Sequence, residues 1–349
     1  TPASAVLSGA MLKAGVLGWL RLLPIEDVAL PEWGSFMIVL GGISAFYGVV
    51  IGLTQRNPKT LLAYSSISQM GIITLFVGVG MLAPLAWSII LPSIAFYALH
   101  HGLSKGALFL GVGILGDSRR WQRRWVWFGL CLPALALAAA PWTSGMLAKN
   151  LVNSAALYTS APWSSFLPVL LSASAVATAL LMARFLYLTR PAAKPFGLVP
   201  VTGLVWPWVV LLLAVLLAPW WLEPSLPEQA GKLQMIKSLW PILLAILVTV
   251  MVLKMNLFHS LRPVPVGDIF VLVERCFKPL YLMARKELGI LYFCTQILPR
   301  YSFLMIQRAQ NVMASILASE RDFTLWSRAI YFVVMIALGI SMMAFLVGF

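Results

Sequence analysis

The chain is short of charge, and shortest of acid. Only 10% of its 349 residues are charged and only 11 are acidic, where a soluble domain carries about 25% charged residues. That deficit excludes an ordinary soluble domain, and a 61% hydrophobic composition with mean hydropathy +0.91 points to a lipid bilayer as surroundings. Cysteine is scarce too: Cys131, Cys276 and Cys294 are scattered, without metal-ligand spacing, which argues against a disulfide framework or a cluster site. The net charge of +14 does not indicate nucleic acid, because the basic residues are spread through short loops rather than gathered on a polar domain. No acidic residue falls inside an expected membrane span, so any ion path through the bilayer must use lysine and histidine.

Asking for about 20 apolar residues per crossing gives spans near 3–23, 34–54, 60–82, 86–115, 126–157, 164–189, 201–222, 238–258 and 326–348. The expected fold is therefore all-α: a polytopic helical membrane protein with nine transmembrane helices. Loops between spans carry Pro24, Asn57-Pro58, Pro162, Pro191, Pro195, Pro224 and Pro227. One set of loops holds Arg56, Lys59, Arg119, Arg120, Arg123, Arg124, Arg190, Lys194 and Arg262. The other holds Glu26, Asp27, Glu32, Glu223 and Glu228 against only Arg21, Lys232 and Lys237. The basic set is expected on the cytoplasmic side. Thr1, already at the edge of a span and with no signal peptide before it, suggests a piece of a longer protein.

Residues 265–325 break the pattern. Asp268, Glu274, Arg275, Lys278, Arg285, Lys286, Glu287, Arg300 and Arg308 recur among apolar residues, and no uncharged stretch there is long enough to span. An amphipathic helix lying along the membrane surface or a partner, on the cytoplasmic side, fits this pattern, with Pro279 and Pro299 kinking it. The expected organisation is a bundle over 1–225, an additional span in 226–264, the lateral segment 265–325 and a membrane anchor over 326–349.

Three lysines stand alone in apolar runs: Lys13, Lys105 and Lys149, the last being the only charge between Arg124 and Arg184. A cation at the bilayer centre costs about 2.5–3.5 kcal/mol on insertion scales, so such residues face a bundle interior or a watered cavity and mark ion paths. His101 and Lys105 are four apart and share one helical face, extended by Tyr97 and Ser104. His100 points elsewhere and is the weaker candidate. Lys149 follows Pro141-Trp142-Thr143-Ser144-Gly145, which suggests a helix interrupted within the membrane, a device that frees backbone groups to hold water or ions. Lys13 follows Ser8-Gly9-Ala10, small residues that admit a close neighbour helix. Arg184, near a cytoplasmic span end, is expected to snorkel.

The segment Thr60-Leu61-Leu62-Ala63-Tyr64-Ser65-Ser66-Ile67-Ser68-Gln69-Met70-Gly71 resembles the most recognisable stretch of the antiporter-like subunits of respiratory complex I, Mrp sodium/proton antiporters and membrane-bound hydrogenases. Ala10–Gly15, His101–Leu110 and Gly145–Lys149 match the family pattern in the same order. The resemblance implies the second half of such a subunit. Lys13 would be its central lysine, His101 and Lys105 the relay leading outward, and Lys149 the terminal proton-exchange residue on a broken helix. Tyr64, Ser68, Gln69, Tyr97 and Ser104 would support them, with Gln69 standing where several members have histidine. Residues 265–325 and the last span would match the lateral helix and its anchor. The implied function is proton translocation coupled to redox chemistry in partner subunits, within a respiratory, hydrogenase or antiporter complex of a prokaryotic inner membrane. Nothing resembles a flavin, NADH, iron–sulfur or quinone site, so no cofactor is expected in this chain and any redox enzyme activity would lie in its partners. A sodium/proton antiporter subunit is the first alternative, and a structural anchor and strap the second.

Overall fold

A computed structural model describes residues 2–23, 28–117, 120–160, 162–191, 203–222 and 232–255, with a few isolated positions beyond. The chain splits into two units, and every described helix lies in the stretch Thr1–Pro263 of the first. The second, Val264–Ile340, contains the expected lateral segment; this segment and the ninth span lie outside the described residues apart from those isolated positions. Among the described residues the secondary structure is helical, with no strand.

The first rod runs from α1 (Pro2–Val6) through a π-helical turn (Leu7–Met11) into α2 (Leu12–Leu22). It is followed by α3 (Pro31–Thr54), α4 (Pro58–Leu82), α5 (Trp87–Asp117), α6 (Arg120–Leu137), α7 (Ser144–Ala156), α8 (Trp163–Thr189), α9 (Val205–Leu222) and α10 (Lys232–Lys254). Helices thus occupy all eight of the other expected spans. Four are long and apolar enough to cross a membrane on length and composition alone: Pro2–Leu22, Pro31–Thr54, Pro58–Leu82 and Trp163–Thr189. The start of α4 follows local chemistry, since the Asn57 side chain accepts from the Lys59 amide at 2.9 Å and Pro58 takes the first turn, where no amide is needed.

Helix α3 presents Phe36, Leu40, Ile43 and Val50 outward in a helical stripe, and α10 does the same with Leu243, Leu247 and Val250. Inward, α3 and α4 meet backbone to backbone. A β-carbon on Gly41 would lie 2.5 Å from the Gly71 carbonyl oxygen, and one on Gly48 would lie 2.6 Å from that of Tyr64. Small residues at seven-residue spacing (Gly34, Gly41, Gly48) bring the two helices this close.

Two apolar clusters sandwich a polar layer. One contains Ile72, Phe76, Trp87, Ile90, Phe96 and Leu167; the other contains Leu61, Leu108, Leu115, Leu130, Leu181 and Phe185. Along α4 the order is Leu61 and Leu62, then Ser65, Ser66, Ser68 and Gln69, then Ile72 onward. Along α5 it is mainly apolar up to Ala98, with Ser93 and Tyr97 as exceptions, then His100, His101, Ser104 and Lys105, then Ala107 onward, all of these buried. The polar residues therefore meet halfway along the bundle.

The expected break is present and begins earlier than Pro141. Helix α6 stops at Leu137 and α7 starts at Ser144, so Ser144 and Gly145 are already helical. Ala139 turns left-handed (φ 64°), with its amide donating to Ala136 O at 3.0 Å and the Ala140 amide to Leu135 O at 3.0 Å. That is the helix-ending hydrogen-bond pair usually built on glycine. Pro141 then biases Ala140 away from helix, Trp142 is also left-handed (φ 58°), and the Thr143 hydroxyl donates to Ala140 O at 2.6 Å. The 13 residues of α7 reach only about 20 Å at 1.5 Å per residue, short of a bilayer core of about 30 Å.

Candidate functional site

Lys13 and Lys105 belong to one hydrogen-bonded cluster. The π-helical turn lies against α5 where Gly9 faces Gly102, so closely that a β-carbon on Gly102 would sit 2.7 Å from the Gly9 carbonyl oxygen. The widened turn, a feature frequent at functional sites, leaves the Ser8 carbonyl to accept from Lys13 Nζ. Ser8 Oγ is 2.7 Å from Ser66 Oγ, and Ser66 Oγ donates to Leu62 O at 3.2 Å. Lys105 Nζ donates to that same Leu62 carbonyl and to Ser65 Oγ. A run of polar atoms therefore joins the two lysines through α4, with Lys13 8% and Lys105 0% exposed.

His101 sits one turn before Lys105, fully buried, and neither of its ring nitrogens has a protein hydrogen-bond partner. The Ser104 hydroxyl is likewise buried and unpartnered. Buried polar groups without partners cost about 1–3 kcal/mol each, so two side by side describe a place suited to water. Both Lys13 and Lys105 lie within electrostatic reach of His101. Among the described residues the carboxylates are Glu32, in the first turn of α3, and Asp117, at the end of α5. The polar layer is therefore a set of bases and cations.

A second strand of the network crosses to α8. Tyr97 donates its hydroxyl to Gln69 Oε1 at 2.5 Å, Gln69 Nε2 donates to Thr178 Oγ1 at 3.0 Å, and Thr178 Oγ1 donates to Ser174 O at 2.8 Å. Gln69 thus ties α4, α5 and α8 together. Tyr64 and Ser68 are buried on the α4 face that meets α3, where the Tyr64 backbone and Ser68 close on Gly48.

Lys149 is on α7 just past the break, with Nζ buried and without a protein partner. It lines a cavity of about 390 Å³ together with Tyr97, Asn150, Ser174, Trp240 and Pro241. Asn153, Leu157 and Ser172, also in its lining, are exposed, so the cavity opens toward the end of α7. At about 30 Å³ per molecule such a volume admits about a dozen waters.

One residue behaves differently from the sequence reading. His100, set aside on helical spacing, is buried with Nδ1 2.7 Å from Ser144 Oγ, at the first residue of α7. Helical spacing shows which residues share a face with His101; it does not show that the neighbouring face meets a broken helix. Arg184 is 4% exposed, its guanidinium reaching the Gln55 carbonyl at 3.5 Å at the α3–α4 connection. The carbonyl-rich C-terminus of α3 offers the guanidinium a partially negative site inside the bundle.

Residues 1–177 match the family model described as NADH:quinone oxidoreductase/Mrp antiporter, transmembrane. The chain belongs to this family. Hydrogenase-4 component B of Escherichia coli is 40% identical over 121 residues, covering 32% of this chain and 18% of that protein. The putative antiporter subunit mnhA2 of Staphylococcus haemolyticus is 33% identical over 171 residues, covering 43% and 21%. NADH-quinone oxidoreductase subunit M of Rhodobacter capsulatus is 32% identical over 163 residues, covering 43% and 31%. The matched stretch thus spans less than a third of these relatives. A solved structure of the Mrp complex from Dietzia sp. shares the fold, with TM-score 0.63 and 23% identity over 81% of this chain and 34% of that one. As a member of this antiporter-like family, the chain is a multi-pass membrane protein. The buried lysines on α2 and α5 both fall within the family-matched stretch, as does Lys149.

Proposed function

We propose that this chain is a proton-translocating part of a multisubunit membrane complex, moving protons along Lys13, Lys105, His101 and Lys149. The observation that carries this reading is the placement of three lysines within one bundle, two of them buried and hydrogen-bonded into a common cluster and the third with its Nζ buried beside a cavity. A buried ammonium without a protein partner, such as that of Lys149, is not kept for packing, because an apolar residue of the same size would be less costly. Like charges so close titrate as a coupled set, so a proton arriving at one lysine favours release from the next. Lysine suits such exchange, as arginine, which stays charged, does not.

The drive is redox chemistry in partner subunits of a respiratory or hydrogenase complex, with no cofactor held by this chain. Relatives named for hydrogenase and NADH-quinone oxidoreductase support that setting. The antiporter named among the relatives supports a second reading, exchange of sodium for protons. The setting is a prokaryotic inner membrane, with residues 265–325 as a strap on the cytoplasmic side.

The test is proton uptake by inside-out vesicles holding the assembled complex, with subunit content measured in parallel. Lys149→Ala and Lys149→Arg are both expected to reduce uptake tenfold or more while assembly persists. Full uptake by Lys149→Ala at normal assembly would instead make the chain an anchor. Uptake that appears only on adding sodium would favour the antiporter.

A further inference from the structure

The relay as drawn has a gap between α5 and the broken helix. Lys13 belongs to the rod, and Lys105 and His101 belong to α5, whereas Lys149 stands on α7 beyond the break. His100 occupies that gap. Its Nδ1 is 2.7 Å from Ser144 Oγ, and its edge meets the Tyr97 ring at a centroid distance of 6.5 Å. A β-carbon added to Gly145 would lie 3.2 Å from His100 Cε1, so the imidazole lies against the bare backbone of α7.

Lys149 is four residues after Gly145 and therefore shares its helical face, and helical side chains lean toward the N-terminus. Lys149 and the imidazole thus lie on the Gly145 side of α7. The charges of Lys149 and His100 act on each other, as do those of His100 and His101. With His100 included, each ionisable group from Lys13 to Lys149 has its neighbour within reach.

We propose that His100, with Ser144, is the proton-transfer link joining the His101/Lys105 centre to Lys149. The proposal rests on the transport function above. An imidazole passes a proton by accepting one at one ring nitrogen and releasing another from the other. Here a proton accepted at Nε2 releases the Nδ1 proton to Ser144 Oγ, and the hydroxyl's own proton moves on toward Lys149. One proton enters and one leaves, and the ring is left in its other tautomer with its charge unchanged. Reorientation of the imidazole and of the Ser144 hydroxyl, with no proton handed back, readies the link for the next transfer. Gly145 is part of the arrangement: any side chain there would press on both the Ala136 carbonyl and the His100 ring.

Three single variants and one double variant test this, in inside-out vesicles holding the assembled complex. His100→Asn keeps a side chain able to hydrogen-bond Ser144 but cannot relay a proton; Ser144→Ala removes one oxygen; Lys149→Ala is the reference. Proton uptake is expected to fall tenfold or more in both His100→Asn and Ser144→Ala at normal assembly. The double variant should be no slower than the slower single one, because both cut the same route. Losses that multiply would assign His100 a structural role and overturn the proposal. So would normal uptake by His100→Asn where Lys149→Ala is inactive, and the transport function would then still stand. Normal uptake by Lys149→Ala as well would mean that the transport function itself fails. Should His100→Asn not assemble, Ser144→Ala decides alone, and normal uptake by that variant refutes the link.

Discussion

Replacing Lys149 and Lys105 in turn by methionine should change stability in opposite directions while impairing transport in both cases. Methionine matches lysine in length and flexibility, so packing is largely kept. Lys149 Nζ is buried and has no protein hydrogen bond; a group in that condition costs about 1–3 kcal/mol, which Lys149→Met removes. Lys105 Nζ donates to Leu62 O and Ser65 Oγ, and Lys105→Met leaves those buried acceptors short of a donor, a loss of similar size. Ser66 also donates to Leu62 O, which trims the loss to about 1 kcal/mol. At about 2.1 cal/mol/K per residue, a chain of 349 residues shifts by about 1.4 °C per kcal/mol, so the two variants should differ in unfolding midpoint by about 3 °C or more. The assay is thermal unfolding of the purified complex in one detergent, paired with vesicle proton uptake. A lowered midpoint with retained uptake for Lys149→Met would refute the reasoning, because Lys149 would then be a structural tie.

Gly41→Val should abolish accumulation of folded protein, since a β-carbon there would lie 2.5 Å from Gly71 O, whereas Gly18→Ala, with nothing within 4 Å, should be tolerated; quantitative blots of membranes decide. Gln69→Leu should lower stability by about 1–3 kcal/mol per stranded group, read as a lower unfolding midpoint, and adding Tyr97→Phe should recover part of that loss because the orphaned hydroxyl is removed. Ala139→Gly should stabilise the complex by about 1 kcal/mol, because the left-handed turn that ends α6 carries a β-carbon at φ 64°; a midpoint unchanged or lowered would count against strain at that turn.

Long apolar runs, alternating loop charge and four ordered motifs were legible because each depends on short stretches of chain. The span limits near 34–54 and 60–82 fall within three residues of α3 and α4, as Pro31 and Asn57-Pro58 fix the helix starts. The break was legible through Pro141, yet proline accounts for only its later part. Its first residue, Ala139, takes a conformation that composition would assign to glycine, and only the surrounding hydrogen bonds of Leu135 and Ala136 hold it there. The π-helical turn beside Lys13 had no sequence signal of its own, because it is set by the meeting of Gly9 with Gly102 about 90 residues away.

The same distinction explains the polar layer. Spacing along α5 shows that His101 and Lys105 share a face, but what each face meets is a property of the neighbouring helices. Ser66 matters because Ser8 is brought to it, and Ser144 because α6 ends early enough to bring the start of α7 against His100. If α6 continued through Pro141 as an unbroken helix, the backbone turn that sets Ser144 against His100 would be lost. The chemistry of the lysines is thus written locally, while the connections between them depend on where one helix is made to stop.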